Sequence, residues 1–133
     1  MITPNYHLIF TSSMFMIPSI YGYYKNQYNL SIVSMLTSLC SINYWISPIN
    51  SWRLTLDKNV ATISGIIYFF YGNNNIKNKN IKRLAFLNGY LIIAFYGFSK
   101  ILYYKGSNYW LCSHMIFHFF TTTGKLLVIH YSV

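Results

Sequence analysis

His114 and His118 lie four residues apart in the apolar stretch "SHMIFHFFTTTG", a spacing that sets both imidazoles on one face of a helix. Neutral imidazole nitrogens so placed form a two-point ligand for zinc, each reaching a shared ion at about 2.0–2.1 Å. The chain holds a single acid, Asp57, against ten Lys or Arg. Asp57, the one carboxylate, can bind such a metal, orient a ligand or hold an attacking water, and chemistry that needs two carboxylates is excluded. Ser38, Ser41 and Asn43 add hydroxyl and amide groups nearby. The competing account is helix locking, in which His, Ser and Asn hydrogen-bond between packed helices and catalyse nothing.

The elements that must position these residues follow from composition. Of 133 residues, 54% are apolar and 8% are charged, whereas a soluble domain devotes about a quarter of its residues to charge. Five apolar runs approach the roughly 20 residues needed to cross a bilayer: 7–24, 29–46, 54–72, 84–104 and 108–128. The third is the weakest, because Asp57 and Lys58 fall in its first turns, and four spans is the rival count. The sequence thus predicts an all-α fold, a multi-pass transmembrane helical bundle of about five spans, formed by residues 1–133 as one integral membrane domain. Tyr and Trp gather at run ends, among them Tyr23, Tyr24, Trp45, Trp52, Tyr103, Tyr104 and Trp110, at the depth where an amphipathic ring sits best. Pro18 is expected to kink the first helix, and Pro48 to end the second. The first run lacks a basic start and a small-residue cleavage site, so it is expected to stay as a membrane helix.

The net charge of +9 is scattered between apolar runs and does not form a basic face on a soluble fold. It therefore points to anionic lipid headgroups and not to nucleic acid. Lys77, Lys79, Lys82 and Arg83 make the densest cluster. The positive-inside rule puts that connection in the cytosol, with the N-terminus outside and the C-terminus inside. Stretches such as "GNNNIKNKNIKR" also fit an AT-rich genome of a viral or protist kind. Cys40 and Cys112 lie in apolar runs and read as small buried hydrophobes.

Parity then brings the chemistry together. With five spans, the end of run two and the starts of runs three and five open on one side of the membrane. Ser41, Asp57 and His114 would each sit about 9 Å below that surface, with His118 one turn deeper. Ionisable groups at such depth mark a functional site when they face the bundle interior.

On these residues the chain resembles the superfamily of membrane hydrolases that includes the alkaline ceramidases and the progestin and adiponectin receptors. That pattern has Ser and His four apart near one helix end, Asp near the start of the next helix, and His-x-x-x-His in the last. Ser41 in "SINYW", Asp57 in "WRLTLD", and His114 and His118 in "HMIFHFFTTTG" match it in order and approximate spacing. Trp45 stands where the family has its third histidine, and the family has seven spans. The resemblance implies a zinc-dependent amide hydrolase acting on a lipid amide, with zinc on His114 and His118, Asp57 as third ligand or water holder, and Ser41 assisting the oxyanion. Cys40 and Cys112 are the alternative third ligands.

His7 and His130 fall at run ends and read as headgroup-level residues. Lys125, seven residues beyond His118, reads as a cation snorkelling toward the cytosolic end. The chain has no Gly-rich phosphate loop, no GxSxG elbow and no TVGYG-like filter. A structural or assembly role in a membrane is the alternative function. An oligomeric pore is a third, disfavoured because the polar residues crowd toward one leaflet.

Overall fold

A computed structural model describes residues 3–132. Six helices, α1 (Tyr6–Ser13), α2 (Met16–Tyr24), α3 (Tyr28–Ile46), α4 (Trp52–Asn75), α5 (Lys79–Tyr104) and α6 (Tyr109–Tyr131), account for nearly all of it. The all-α expectation holds. Short connections make the helices five antiparallel segments of a bundle, with α1 and α2 as two halves of the first. Two ends are thereby defined. At one, the backbone N–H of Asn5 donates to the carbonyl of Trp45. At the other, the Gln27 side-chain amide donates to the carbonyls of Ile129 and Ser132, and Ile76 bridges to Ser132. We call these the Trp45 end and the Gln27 end.

Local chemistry explains the boundaries. Asn5, Ser51 and Asn78 cap α1, α4 and α5 by accepting from backbone N–H groups of the first turn, which otherwise lack partners. Asn26 (φ 61°) and Gly106 (φ 72°) take the left-handed conformation just past α2 and α5. Each turn closes with the next residue donating back into the helix, Gln27 to Gly22 and Ser107 to Leu102, as in a Schellman cap. α3 stops at Ile46, just before Pro48, as expected.

Two boundaries depart from expectation. The first run breaks at Met14–Phe15, not at Pro18, which lies inside α2. A proline ring clashes with the carbonyl four residues earlier and donates nothing to it; for Pro18 that carbonyl is Met14, so the break falls upstream. α5 begins at Lys79, five residues before the expected start, because Asn78 caps it with bonds to Asn80 and Ile81. Lys79, Lys82 and Arg83 are therefore helical.

The burial pattern is inverted relative to a water-soluble bundle. On α3 the buried residues are Leu30, Ser31, Ser34, Thr37, Ser38, Ser41 and Trp45, while Ile32, Met35, Leu36 and Leu39 face outward. Phe70, Leu87 and Phe98 are likewise exposed on α4 and α5. Among the described residues α5 is the one helix both long and apolar enough to cross a membrane. α3, α4 and α6 carry hydroxyls, Asp57, Lys58, the histidines and Lys125, and many of these polar groups point inward.

Packing is uneven. α5 lies along α6, α3 packs on α1, α2 and α4, and α4 and α5 barely touch. An apolar cluster of Leu30, Tyr68, Ile76, Val128 and Ile129 closes the Gln27 end. Gly124 lets α5 approach: a Cβ there would collide with Asn88 Nδ2, and that amide donates to the Phe120 carbonyl at 3.0 Å.

Candidate functional site

The gap between α4 and α5 opens into a cavity of about 1350 Å³ reaching α3 and α6. Ser41, Asp57, His114 and His118 all line it, so the four residues singled out in the sequence share one space. Ser41 is fully enclosed on α3, His118 is 3% exposed on α6, and Asp57 and His114 are half-buried. Because α3 ends, and α4 and α6 begin, at the Trp45 end, the antiparallel order brings the three helices' polar residues to similar depth.

The imidazoles are close, with ring centroids 4.7 Å apart in an edge-to-face arrangement. Each is held through Nδ1. His118 Nδ1 lies 2.8 Å from Thr11 Oγ1, and His114 Nδ1 lies 3.3 Å from Ser99 Oγ. A hydroxyl has one proton. Ser99 Oγ also reaches the Trp110 carbonyl (3.1 Å), and Thr11 Oγ1 the carbonyls of His7 and Leu8 (3.2 and 3.3 Å). Each hydroxyl thus has a carbonyl and a ring Nδ1 in reach of its one proton, and with either tautomer the contact fixes the orientation of the imidazole. Orientation through the far nitrogen is how metal-binding histidines are usually held.

Ser41 belongs to a second small network. Its Oγ lies 2.7 Å from Ser12 Oγ, and Ser38 Oγ donates to the Ser12 carbonyl at 2.9 Å. α3 is thereby tied to the last turn of α1, just before the break that Pro18 imposes.

The fit to zinc is incomplete. Among the described residues no three His, Cys, Asp or Glu side chains converge on a point from which they would hold one ion, and a catalytic zinc takes three protein ligands plus an open position. Cys112 is exposed and Cys40 half-buried, and neither completes the set. Trp45 occupies the flank of His114: its ring meets His114 edge-on at 5.3 Å and stacks on Trp110 at 6.4 Å. The buried indole N–H of Trp45 has no hydrogen-bond partner.

Deeper in the cavity lies Lys125. The snorkelling expectation is not met: Lys125 is 4% exposed and its Nζ sits 5.2 Å from the Phe15 ring centroid and 5.1 Å from that of Tyr68. Phe15 also meets His118 edge-on at 5.1 Å, so one ring separates the histidine pair from the lysine. Thr11, Ser12, Ser99 and Phe15 join the site without having been singled out in the sequence; the signal available was hydroxyls recurring at helical spacing inside apolar runs. His7 and His130 are exposed at the bundle ends, and His130 Nδ1 pairs with the Tyr21 hydroxyl at 2.6 Å.

Comparison with family models, with curated proteins and with solved structures finds no match.

Proposed function

We propose that the chain is a five-pass membrane protein that admits a lipid sideways between α4 and α5 and presents its polar linkage to Ser41, Asp57, His114 and His118. The observation that carries this reading is the inverted burial: apolar side chains cover the outside, and hydroxyls, imidazoles and a lysine fill the interior. In water such a surface is an aggregation hazard. In a bilayer it matches the solvent, and buried polar groups then hold the helices together. The Gln27 end bears Lys25, Lys77, Lys79, Lys82 and Arg83 and is assigned to the cytosol, with the C-terminus; the N-terminus is non-cytosolic.

Within that frame the chemistry favoured is hydrolysis of a lipid amide, the reaction implied by the resemblance to the ceramidases. Asp57, the one carboxylate, takes a proton from water as its oxygen adds to the amide carbonyl and returns that proton to the departing amine. The Ser41 hydroxyl donates to the oxygen that gains charge. The two imidazoles line the same cavity and can hydrogen-bond to water or substrate there. No step is drawn through zinc, because the donor set is one ligand short.

The decisive experiment is release of fatty acid from a long-chain lipid amide by the purified protein in detergent, alongside its zinc content. Hydrolysis abolished by Asp57→Asn, in a variant that remains folded, supports the assignment. Absence of hydrolysis from the folded wild type across a panel of lipid amides, with and without added zinc, would overturn it. The structural role has its own supporting observation: the Nδ1 bonds tie α6 to α1 and α5, which locks helices whether or not chemistry follows.

A further inference from the structure

Lys125 is the basic side chain that the proposed hydrolysis leaves unused. It lies on the inner face of α6, lines the cavity and is almost wholly enclosed. Its Nζ has no hydrogen-bond partner. The rings of Phe15 and Tyr68 stabilise a positive charge through their π faces, yet they offer no acceptor for three N–H groups. The Tyr68 hydroxyl is itself committed, donating to the Leu30 carbonyl at 2.8 Å. Two more hydroxyls without partners, Ser64 Oγ and Thr122 Oγ1, lie one helical turn from Tyr68 and Lys125 respectively.

Among the described residues the one acidic side chain does not supply the missing anion. Asp57 precedes Tyr68 on α4 by three helical turns, roughly 16 Å of rise. A buried ammonium without a counter-charge is costly, and here the cost falls on a group that faces an open, apolar-walled cavity. Ala85, Phe86, Ile92 and Ile93 of α5 form one wall and Gly65 and Phe69 of α4 the other.

We infer that Lys125 is an anion-recognition site: it binds the carboxylate or phosphate head of an acyl amphiphile whose chain lies in the α4/α5 cleft. This rests on the lipid-accepting reading of the cleft and is independent of hydrolysis. The two heads share the chemistry that matters, an oxyanion able to accept two or three N–H bonds in a low-dielectric site. Phe15 shields this position from the histidine pair, so the anion site and the hydrolytic site are separate stations in one cavity.

The test is equilibrium binding of three fluorescent acyl probes matched in chain length, to the full protein in neutral-lipid nanodiscs. One probe ends in a carboxylate, one in a phosphate monoester and one in an uncharged alcohol. The wild type should prefer the anionic probes over the alcohol by about tenfold or more, and Lys125→Met should remove that preference while leaving the alcohol nearly unchanged. Lys125→Arg, which keeps the charge, should retain most of it. The carboxylate and phosphate arms identify the head, and competition by inorganic phosphate shows whether an acyl chain is required. Equal binding of charged and neutral probes by the wild type overturns the inference even if Lys125→Met does not fold. Failure of all three probes to bind overturns the lipid-accepting cleft itself.

Discussion

The two stations of the cavity are built on opposite terms. Around His114, His118 and Ser41 three side-chain pairs join neighbouring helices, Thr11 with His118, Ser99 with His114 and Ser12 with Ser41, and the Trp45 indole N–H is the buried group left without a partner. Around Lys125 the partners are missing, with Nζ and the hydroxyls of Ser64 and Thr122 all unpaired. A buried polar network fully satisfied by its own protein rigidifies what it joins, while one left open is expensive unless something else completes it. The paired station therefore sets the geometry of the helices, and the unpaired one awaits a ligand.

This contrast predicts unequal responses to mutation. The largest loss of stability should come from His118→Ala, which vacates space beside Phe15 and strips Thr11 of its interhelical partner. We expect destabilisation of about 2–4 kcal/mol, read as a fall in the thermal midpoint in detergent. Lys125→Met should do the reverse or nothing, since replacing an unpaired buried cation by an apolar chain of similar length is neutral or stabilising by about 1–2 kcal/mol. A Lys125→Met protein much less stable than wild type would break the comparison. His114→Gln with His118→Gln separates locking from chemistry: glutamine still hydrogen-bonds, so stability should fall by no more than about 1–2 kcal/mol while any lipid-amide hydrolysis disappears.

A gain of function sharpens the same point. Trp45→His replaces the indole that flanks His114 with an imidazole, and we expect the variant to retain zinc or cobalt after desalting where the wild type retains less. Equal metal retention by both proteins would show that Trp45 does not occupy a ligand position. The smallest effect belongs to Gly124→Ala. Its methyl group would push Asn88 off the Phe120 carbonyl and cost about 1 kcal/mol, measurable as a modest shift in the same thermal assay.

Much of the all-helical architecture was legible in the residue order, because the five apolar runs coincide with the helical segments of the bundle. Parity then placed Ser41, Asp57 and His114 at one end. The break at Met14 was encoded too, since Pro18 acts on the carbonyl four residues back; assigning the bend to the proline itself misplaced it. The start of α5 was hidden because "NKNIKR" is polar enough to resemble a loop, and only the Asn78 cap shows that it is helical. Lys125 was misread for a deeper reason. Snorkelling requires that the side chain face lipid or reach an interface, and rotation about the helix axis is fixed by neighbours distant in sequence, here Phe15 and Tyr68. The partners of the histidines, Thr11 and Ser99, are legible only once helices are packed.

The seam between α4 and α5 bears on how affinity should be expressed. On the lipid-accepting reading proposed above, a ligand that enters sideways never passes through bulk water, so its occupancy would follow its mole fraction among the surrounding lipids and its aqueous concentration would become nearly irrelevant. Diluting the protein in buffer at constant lipid composition should leave the site equally filled, while diluting the ligand with inert lipid should empty it. Exchange would then be paced by lateral diffusion and by how readily the α5–α6 hairpin leans away from α4. Closing that seam would trap the molecule already inside.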